Sequence, residues 1–217
     1  VPMPHLLVPA VLLLADPVAG AAALDPGVDR WHLLAACPRV VPNGTNYGKA
    51  ATAVCLAARN GTAYLLTAEH LMTSGDARVY EFFTRDSYPE PAHKVIGDRV
   101  VMRLPDADAA IVEVRYDGDP PPTVPLVPVG ERPKRFPFAA ASVGCPLRVP
   151  PRFRNEVVIG KTLVRKSDDL AAFYWQVEDA PLGAMSGGPL FDAKGRVLGV
   201  WAAAMGERGY LAYADEI

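Results

Sequence analysis

The stretch Gly183-Ala184-Met185-Ser186-Gly187-Gly188-Pro189-Leu190-Phe191 holds one serine in a turn almost free of side chains, and the turn runs straight into an apolar run. Turns of this composition let another backbone approach closely, because no Cβ stands in the way. A second segment, Tyr64-Leu65-Leu66-Thr67-Ala68-Glu69-His70, reads as a buried strand that ends by presenting a histidine. A third, Asp106-Ala107-Asp108-Ala109-Ala110-Ile111-Val112-Glu113-Val114, leads from two carboxylates into another apolar strand. All three are strand-and-turn units, and they set the reading of the chain as all-β.

The rest of the sequence agrees. Beyond about residue 36 it falls into short apolar runs broken by turn residues. The first half offers runs over 50–57, 63–68, 79–83, 95–96, 100–104 and 110–114. The second half offers 138–143, 157–164, 171–177, 189–191, 197–203 and 210–214. Asn60-Gly61 between two of them is a strong hairpin signal. The 18 glycines and 22 prolines exceed the usual combined share of about 12% and show no triplet period, so they mark turns. Between the halves, Asp117-Gly118-Asp119-Pro120-Pro121-Pro122-Thr123-Val124-Pro125 is extended and stiff by composition. The expected organisation is a leader over 1–23, a lead-in over 24–44, a first β-domain over 45–117, a Pro-rich linker over 118–125 and a second β-domain over 126–217, each a small barrel or sandwich.

Composition excludes several classes. Half of the 217 residues are apolar, which is too many for a disordered chain. A formal net charge of −2 argues against a nucleic-acid module that works by neutralising phosphates. The apolar run over 6–14, followed by the tract Ala19-Gly20-Ala21-Ala22-Ala23, fits the core and cleavage region of a secretory signal. It is far short of the ~20 residues that span a bilayer. Export to a secreted or periplasmic location is the expectation, with a disordered leader on a cytoplasmic protein as the alternative. Three cysteines, Cys37, Cys55 and Cys145, make no framework. Cys37 and Cys55 could pair after export, but an odd count does not fix the redox surroundings. None has C-x-x-C spacing, so no zinc site is expected. Asn43-Gly44-Thr45 and Asn60-Gly61-Thr62 also match the N-glycosylation pattern.

Serine, histidine and aspartate are the three groups that nucleophilic acyl transfer requires. A serine hydroxyl attacks only when an imidazole takes its proton, and a carboxylate must hold that imidazole in the right tautomer. The glycines beside Ser186 suit a developing oxyanion, which backbone N–H groups stabilise only from a tight turn. Each piece has a plain structural reading: His70 as a core histidine, Asp108 as a turn residue, Ser186 as part of a hairpin. The order His, Asp, Ser within one β-rich chain is the more specific signal.

In that order the chain resembles the trypsin-like (chymotrypsin-fold) serine proteases, nearest the bacterial HtrA-type and glutamyl-endopeptidase-like branches. Thr67-Ala68-Glu69-His70 resembles the family's T-A-A-H. Asp108-Ala109-Ala110-Ile111-Val112 resembles its aspartate segment, and Ser186-Gly187-Gly188-Pro189-Leu190-Phe191 its nucleophile motif. Val197-Leu198-Gly199-Val200 and Leu211-Ala212-Tyr213-Ala214 resemble the closing strands, so the likeness runs over about 45–214. It implies two six-stranded antiparallel barrels with the site in the crevice between them. Ser186 would be the nucleophile, His70 the base, and Asp108, in preference to Asp106, its orienting partner. The N–H groups of Ala184 and Ser186 would form the oxyanion hole. Ala180 would lie at the base of the substrate pocket, with Ala202, Ala203 and Ala204 as walls, which suits a small or medium apolar residue before the scissile bond. The implied partner is a polypeptide substrate met by a monomer, with no cofactor, no metal and no PDZ-like extension.

Two departures from the family stand at the site. Ala184 replaces the usual glycine, and Met185 stands where many members carry aspartate. If position 184 needs a left-handed backbone, alanine strains it. The alternative function is therefore a catalytically silent protease fold that serves as a binding or scaffold module.

Overall fold

The computed structural model describes residues 16–43, 50–73, 77–165, 167 and 169–213. The apolar run over 6–14, Gly44 and Thr45 of the first glycosylation pattern, and Ala214 lie outside the described residues.

Among the described residues the first half of the chain carries eight strands: β1 (Arg39–Pro42), β2 (Ala51–Thr52), β3 (Val54–Arg59), β4 (Thr62–Thr67), β5 (Arg78–Phe82), β6 (His93–Ile96), β7 (Arg99–Leu104) and β8 (Ala109–Arg115). They form two four-stranded antiparallel sheets, in the orders β2-β1-β5-β6 and β3-β4-β8-β7. Both sheets turn apolar side chains into one core, where Val40, Ala51, Cys55, Leu65, Tyr80 and Val112 meet. The expected run over 50–57 is two strands, because the chain breaks at Ala53 as it passes from one sheet to the other. β1, which the apolar-run pattern missed, is a two-valine run closed in by Pro38 and Pro42. Asn60 and Gly61 both have positive φ, 51° and 72°, which is the geometry a two-residue hairpin loop demands.

The second half is a closed six-stranded barrel. Its strands β9 (Phe138–Gly144), β10 (Arg152–Arg165), β11 (Ala171–Val177), β12 (Pro189–Phe191), β13 (Val197–Met205) and β14 (Arg208–Tyr213) close in the order β10-β11-β14-β13-β12-β9. Closure removes the sheet edges that would otherwise pair with other chains. The barrel is filled around Trp175, whose indole N–H donates to the Leu198 carbonyl at 2.9 Å and whose ring meets Tyr213 edge-on.

A third apolar cluster joins the halves, bringing Leu33, Leu34, Val54, Leu66, Val124, Phe153, Phe191 and Val200 together. Leu33 and Leu34 come from the short helix α1 (Arg30–Ala35), started by Asp29, whose side chain accepts from the N–H groups of Trp31 and His32. The preceding chain is already packed by Ala21, which is fully buried. Phe153 N–H donates to the Pro17 carbonyl and Ala22 N–H to Asn155 Oδ1. The segment over 16–24 thus lies on β10. The Pro-rich crossing is tied to both halves: Val124 N–H donates to the Cys55 carbonyl, and Val197 N–H to that of Pro125. Among the described residues no helix is long and apolar enough to cross a membrane.

Candidate active site

β4 ends at Thr67, and the chain turns through a short 3₁₀ segment, Glu69–Met72. That turn delivers His70 to Asp108, which immediately precedes β8. The carboxylate grips the histidine twice: Asp108 Oδ2 lies 2.8 Å from His70 Nδ1, and Oδ1 accepts the His70 backbone N–H at 2.9 Å. The Asp108 carbonyl accepts from the Glu69 N–H as well. Asp108 adopts φ 52°, a left-handed conformation that a short polar side chain tolerates better than most. Its side chain is 11% exposed against 44% for His70, so the carboxylate lies behind the ring and the ring faces outward. Asp106 plays no such part; its carbonyl accepts from the Tyr174 hydroxyl. Glu69, which would point to solvent if unpaired, instead accepts from Arg103 at 2.6 Å.

The serine turn is pressed against the end of the histidine strand. A Cβ on Gly187 (φ 78°) would fall on the Thr52 carbonyl, the Thr67 hydroxyl and the Ala68 N–H. A Cβ on Gly188 would strike the Val143 carbonyl. These two glycines let Ser186 sit beside β2 and β4, and Thr52 N–H donates to the Ser186 carbonyl at 2.9 Å. No hydrogen bond joins Ser186 to His70 among those of the described residues, and in the absence of substrate such contacts are commonly loose.

Ala184 has φ 72°, so the position does require the left-handed backbone that alanine resists. The peptides before and after it are each held by a hydrogen bond to the carbonyl. Leu147 N–H donates to the Gly183 carbonyl at 2.8 Å, and the Thr52 hydroxyl donates to the Ala184 carbonyl at 3.2 Å. Thr52 Oγ1 also accepts from the Cys145 N–H. Neither the Ala184 N–H nor the Ser186 N–H has an acceptor among the described residues, whereas Gly187 and Gly188 donate to Trp201 and Met185. Met185 itself is buried against Gly144.

Of the positions expected to form a substrate pocket, Ala180 is half-buried, Ala202 is buried, and Ala203 and Ala204 are exposed. The Ala180 carbonyl accepts from Arg154 Nη1 at 2.8 Å. Trp201, next to the wall, exchanges backbone hydrogen bonds with Gly187 and Gly188, and its buried indole edge lies where a Cβ on Gly209 would go. Thr52, Leu147, Arg154 and Trp201 were not legible as site residues. Each reads as an ordinary strand or loop residue, and only tertiary contact brings it here. The three cysteines are free and buried. Burial pushes the Cys55 and Cys145 thiols up to about 12 and raises that of Cys37, so none is a nucleophile near neutral pH. A cleft of about 510 Å³ lies elsewhere, between β5, β6 and the Pro-rich crossing, and none of His70, Asp108 and Ser186 lines it. Among the described residues no group of three or more His, Cys, Asp or Glu side chains could hold a metal ion.

Comparison with known proteins agrees with this fold. A serine-to-alanine mutant of Rv3671c from M. tuberculosis, solved in an inactive form, superposes with a TM-score of 0.68 at 18% identity, covering 93% of this chain and 91% of that one. The HtrA-type protease AlgW, solved with a tripeptide, gives a TM-score of 0.66 at 19% identity over 84% of this chain and 57% of that one. These likenesses show the chymotrypsin-like fold. A search of curated protein sequences finds no match. The sequence model of the trypsin-like peptidase domain matches residues 51–200, a span that contains the histidine turn, the aspartate and the serine turn, and the chain accordingly belongs to the trypsin-like peptidase family.

Proposed function

We propose that the chain is a serine endopeptidase that cleaves polypeptides through an acyl-enzyme on Ser186. The observation that carries this reading is the double grip of Asp108 on His70. With the Nδ1 proton committed to the carboxylate, Nε2 is the basic nitrogen. As Ser186 Oγ attacks the scissile carbonyl carbon, its proton passes to Nε2 and the imidazolium is stabilised by Asp108. The oxyanion then takes the two N–H groups of Ala184 and Ser186, which have no other acceptor among the described residues. Collapse breaks the C–N bond, and His70 returns its proton to the leaving amine. A water deprotonated by His70 attacks the ester, and Ser186 leaves with the proton regained. The residues supply base and electrophile themselves, so the step calls for neither metal nor organic cofactor. A substrate chain lies extended, with a small or medium apolar side chain between Ala180 and Ala202, Ala203 and Ala204. The apolar run over 6–14 supports action after export, whereas the small-residue tract behind it is packed on β10 as part of the folded chain.

A silent binding module is the second reading, favoured by Ala184 and by the missing Ser186–His70 hydrogen bond. A fluorophosphonate probe separates the two. Labelling of the folded chain that is lost in Ser186→Ala and in His70→Ala is the expected result. A folded chain that stays unlabelled, with Ala184→Gly equally inert, would leave only the binding module.

A further inference from the structure

Among the charged side chains of β10, Arg154 and Glu156 stand two residues apart, toward the end of the barrel from which the serine loop emerges. Glu156 is 3% exposed, and its carboxylate accepts from the Ser142 hydroxyl at 2.6 Å. Arg154 Nε lies 3.4 Å from the same oxygen, while Nη1 reaches out of the barrel to the Ala180 carbonyl. Among the described residues this is the one hydrogen bond made by the backbone of residues 179–181. The loop is next fixed only at Glu178, which donates to the Val157 carbonyl, and at Leu182, whose carbonyl accepts from Met185.

We propose that Arg154 is a positioning residue for the substrate pocket: it couples the buried Glu156 carboxyl to the Ala180 carbonyl, so the protonation of Glu156 sets how firmly the pocket base is held. The inference rests on the endopeptidase reading above and adds to it a built-in control of specificity.

The geometry explains why the coupling is graded. A guanidinium is a rigid planar fork, so anchoring one nitrogen fixes where the others point. An ionised Glu156 attracts Nε and leaves Nη1 aimed at Ala180; a protonated one loses that attraction. The charged groups acting on Glu156 are Arg154 from its own strand and Asp179 from the loop after β11, while β9 offers only the Ser142 hydroxyl. Asp179 also lies 3.7 Å from Arg154 Nη2, but its side chain is 78% exposed, so water screens it. Burial pushes the Glu156 carboxyl up to about 7, against the pull of Ser142 and Arg154 and with some help from Asp179. The carboxyl therefore changes charge across the neutral range, where most surface carboxylates do not.

The test uses two peptides that differ only before the scissile bond, alanine against leucine, and follows the ratio of their kcat/KM from pH 5.5 to 8.5. Protonation of the triad affects both peptides alike and divides out of the ratio. In the wild-type chain the ratio should fall about fivefold as pH drops through about 7, an effect of the size expected for one coupled pair. Glu156→Gln, whose amide keeps the Ser142 contact, should hold the ratio flat at its low-pH value. Arg154→Ala should flatten it and raise KM more than it lowers kcat, and Arg154→Lys should recover part of the loss. A pH-independent ratio in the wild-type chain, or one that still titrates in Glu156→Gln, overturns the proposal while leaving the enzyme reading intact. No turnover of either peptide, together with no fluorophosphonate label, overturns both.

Discussion

Leu147 donates its backbone N–H to the Gly183 carbonyl, and the bond fixes the peptide whose other end is the Ala184 N–H. A trans peptide is planar, so the Ala184 N–H points away from Leu147. The clamp is set in strained backbone: Leu147 has φ 52° and Arg148 φ 71°, conformations that cost a non-glycine residue about 1–2 kcal/mol each. Observed strain of this sort commonly marks a functional constraint. On the proposed function, Ala184→Val should lower kcat by about 10²-fold, because a branched side chain at φ 72° turns the peptide and removes one oxyanion donor. Ala184→Gly should keep kcat and raise stability by up to about 1 kcal/mol as the strain is relieved. Pre-steady-state acylation and thermal melts measure the two effects; full activity in Ala184→Val would remove this N–H from the chemistry.

The Asp108 grip predicts a different signature. Asp108→Asn keeps shape and tolerates the left-handed backbone, but its amide cannot stabilise an imidazolium and competes for the ring's tautomer. A drop in kcat of about 10⁴-fold with KM little changed is expected, alongside a melting temperature near that of the wild-type chain. The same assay on Asp106→Asn should show no such drop, since the Asp106 contact is its carbonyl with the Tyr174 hydroxyl and not with His70.

What the sequence made legible was local. Twelve apolar runs mark strands because strand signals lie in four to eight consecutive residues. His70, Asp108 and Ser186 stand out because each sits at the mouth of such a run. Thr52 did not, since a threonine in a two-residue strand carries no signal until the serine turn is folded onto it. Glu156 and Arg154 are hidden for a related reason: an R-N-E stretch reads as a solvated strand until barrel closure buries the glutamate. The eight-strand division of the first half escapes because β1 is bounded by prolines and Ala53 gives no turn signal.

The two faces of the serine turn should differ sharply when a single methyl group is added. Gly188→Ala drives a Cβ into the Val143 carbonyl, and backbone cannot give way as a side-chain tip does. A loss of about 3 kcal/mol or failure to fold is expected. Gly183→Ala meets nothing within 4 Å, and its stability should stay within about 1 kcal/mol of the wild type. Denaturant midpoints of the pair measure the contrast. Equal midpoints would mean that close packing does not demand the glycine at 188.

Acid stability should depend on Asp98, which lies between β6 and β7. Arg78 reaches it through Nε at 2.6 Å and Nη2 at 2.8 Å, and the Tyr80 hydroxyl donates to it as well. Burial alone would raise the Asp98 carboxyl, but the hydrogen bonds from Arg78 and Tyr80 outweigh it and hold the group below its usual range. A carboxyl depressed by folding stabilises the native state above its unfolded value near 3.9, and that stability is lost as pH falls below this toward the folded value. Asp98→Asn leaves the Arg78 guanidinium without its countercharge in a largely buried position, at a cost of about 3 kcal/mol near pH 7. As pH falls below the unfolded value the wild-type carboxyl is progressively neutralised, so the gap between the two proteins should narrow. Urea midpoints at pH 7 and pH 2.5 measure it. A gap of equal size at both would show that Asp98 contributes through shape and hydrogen bonding rather than through its charge.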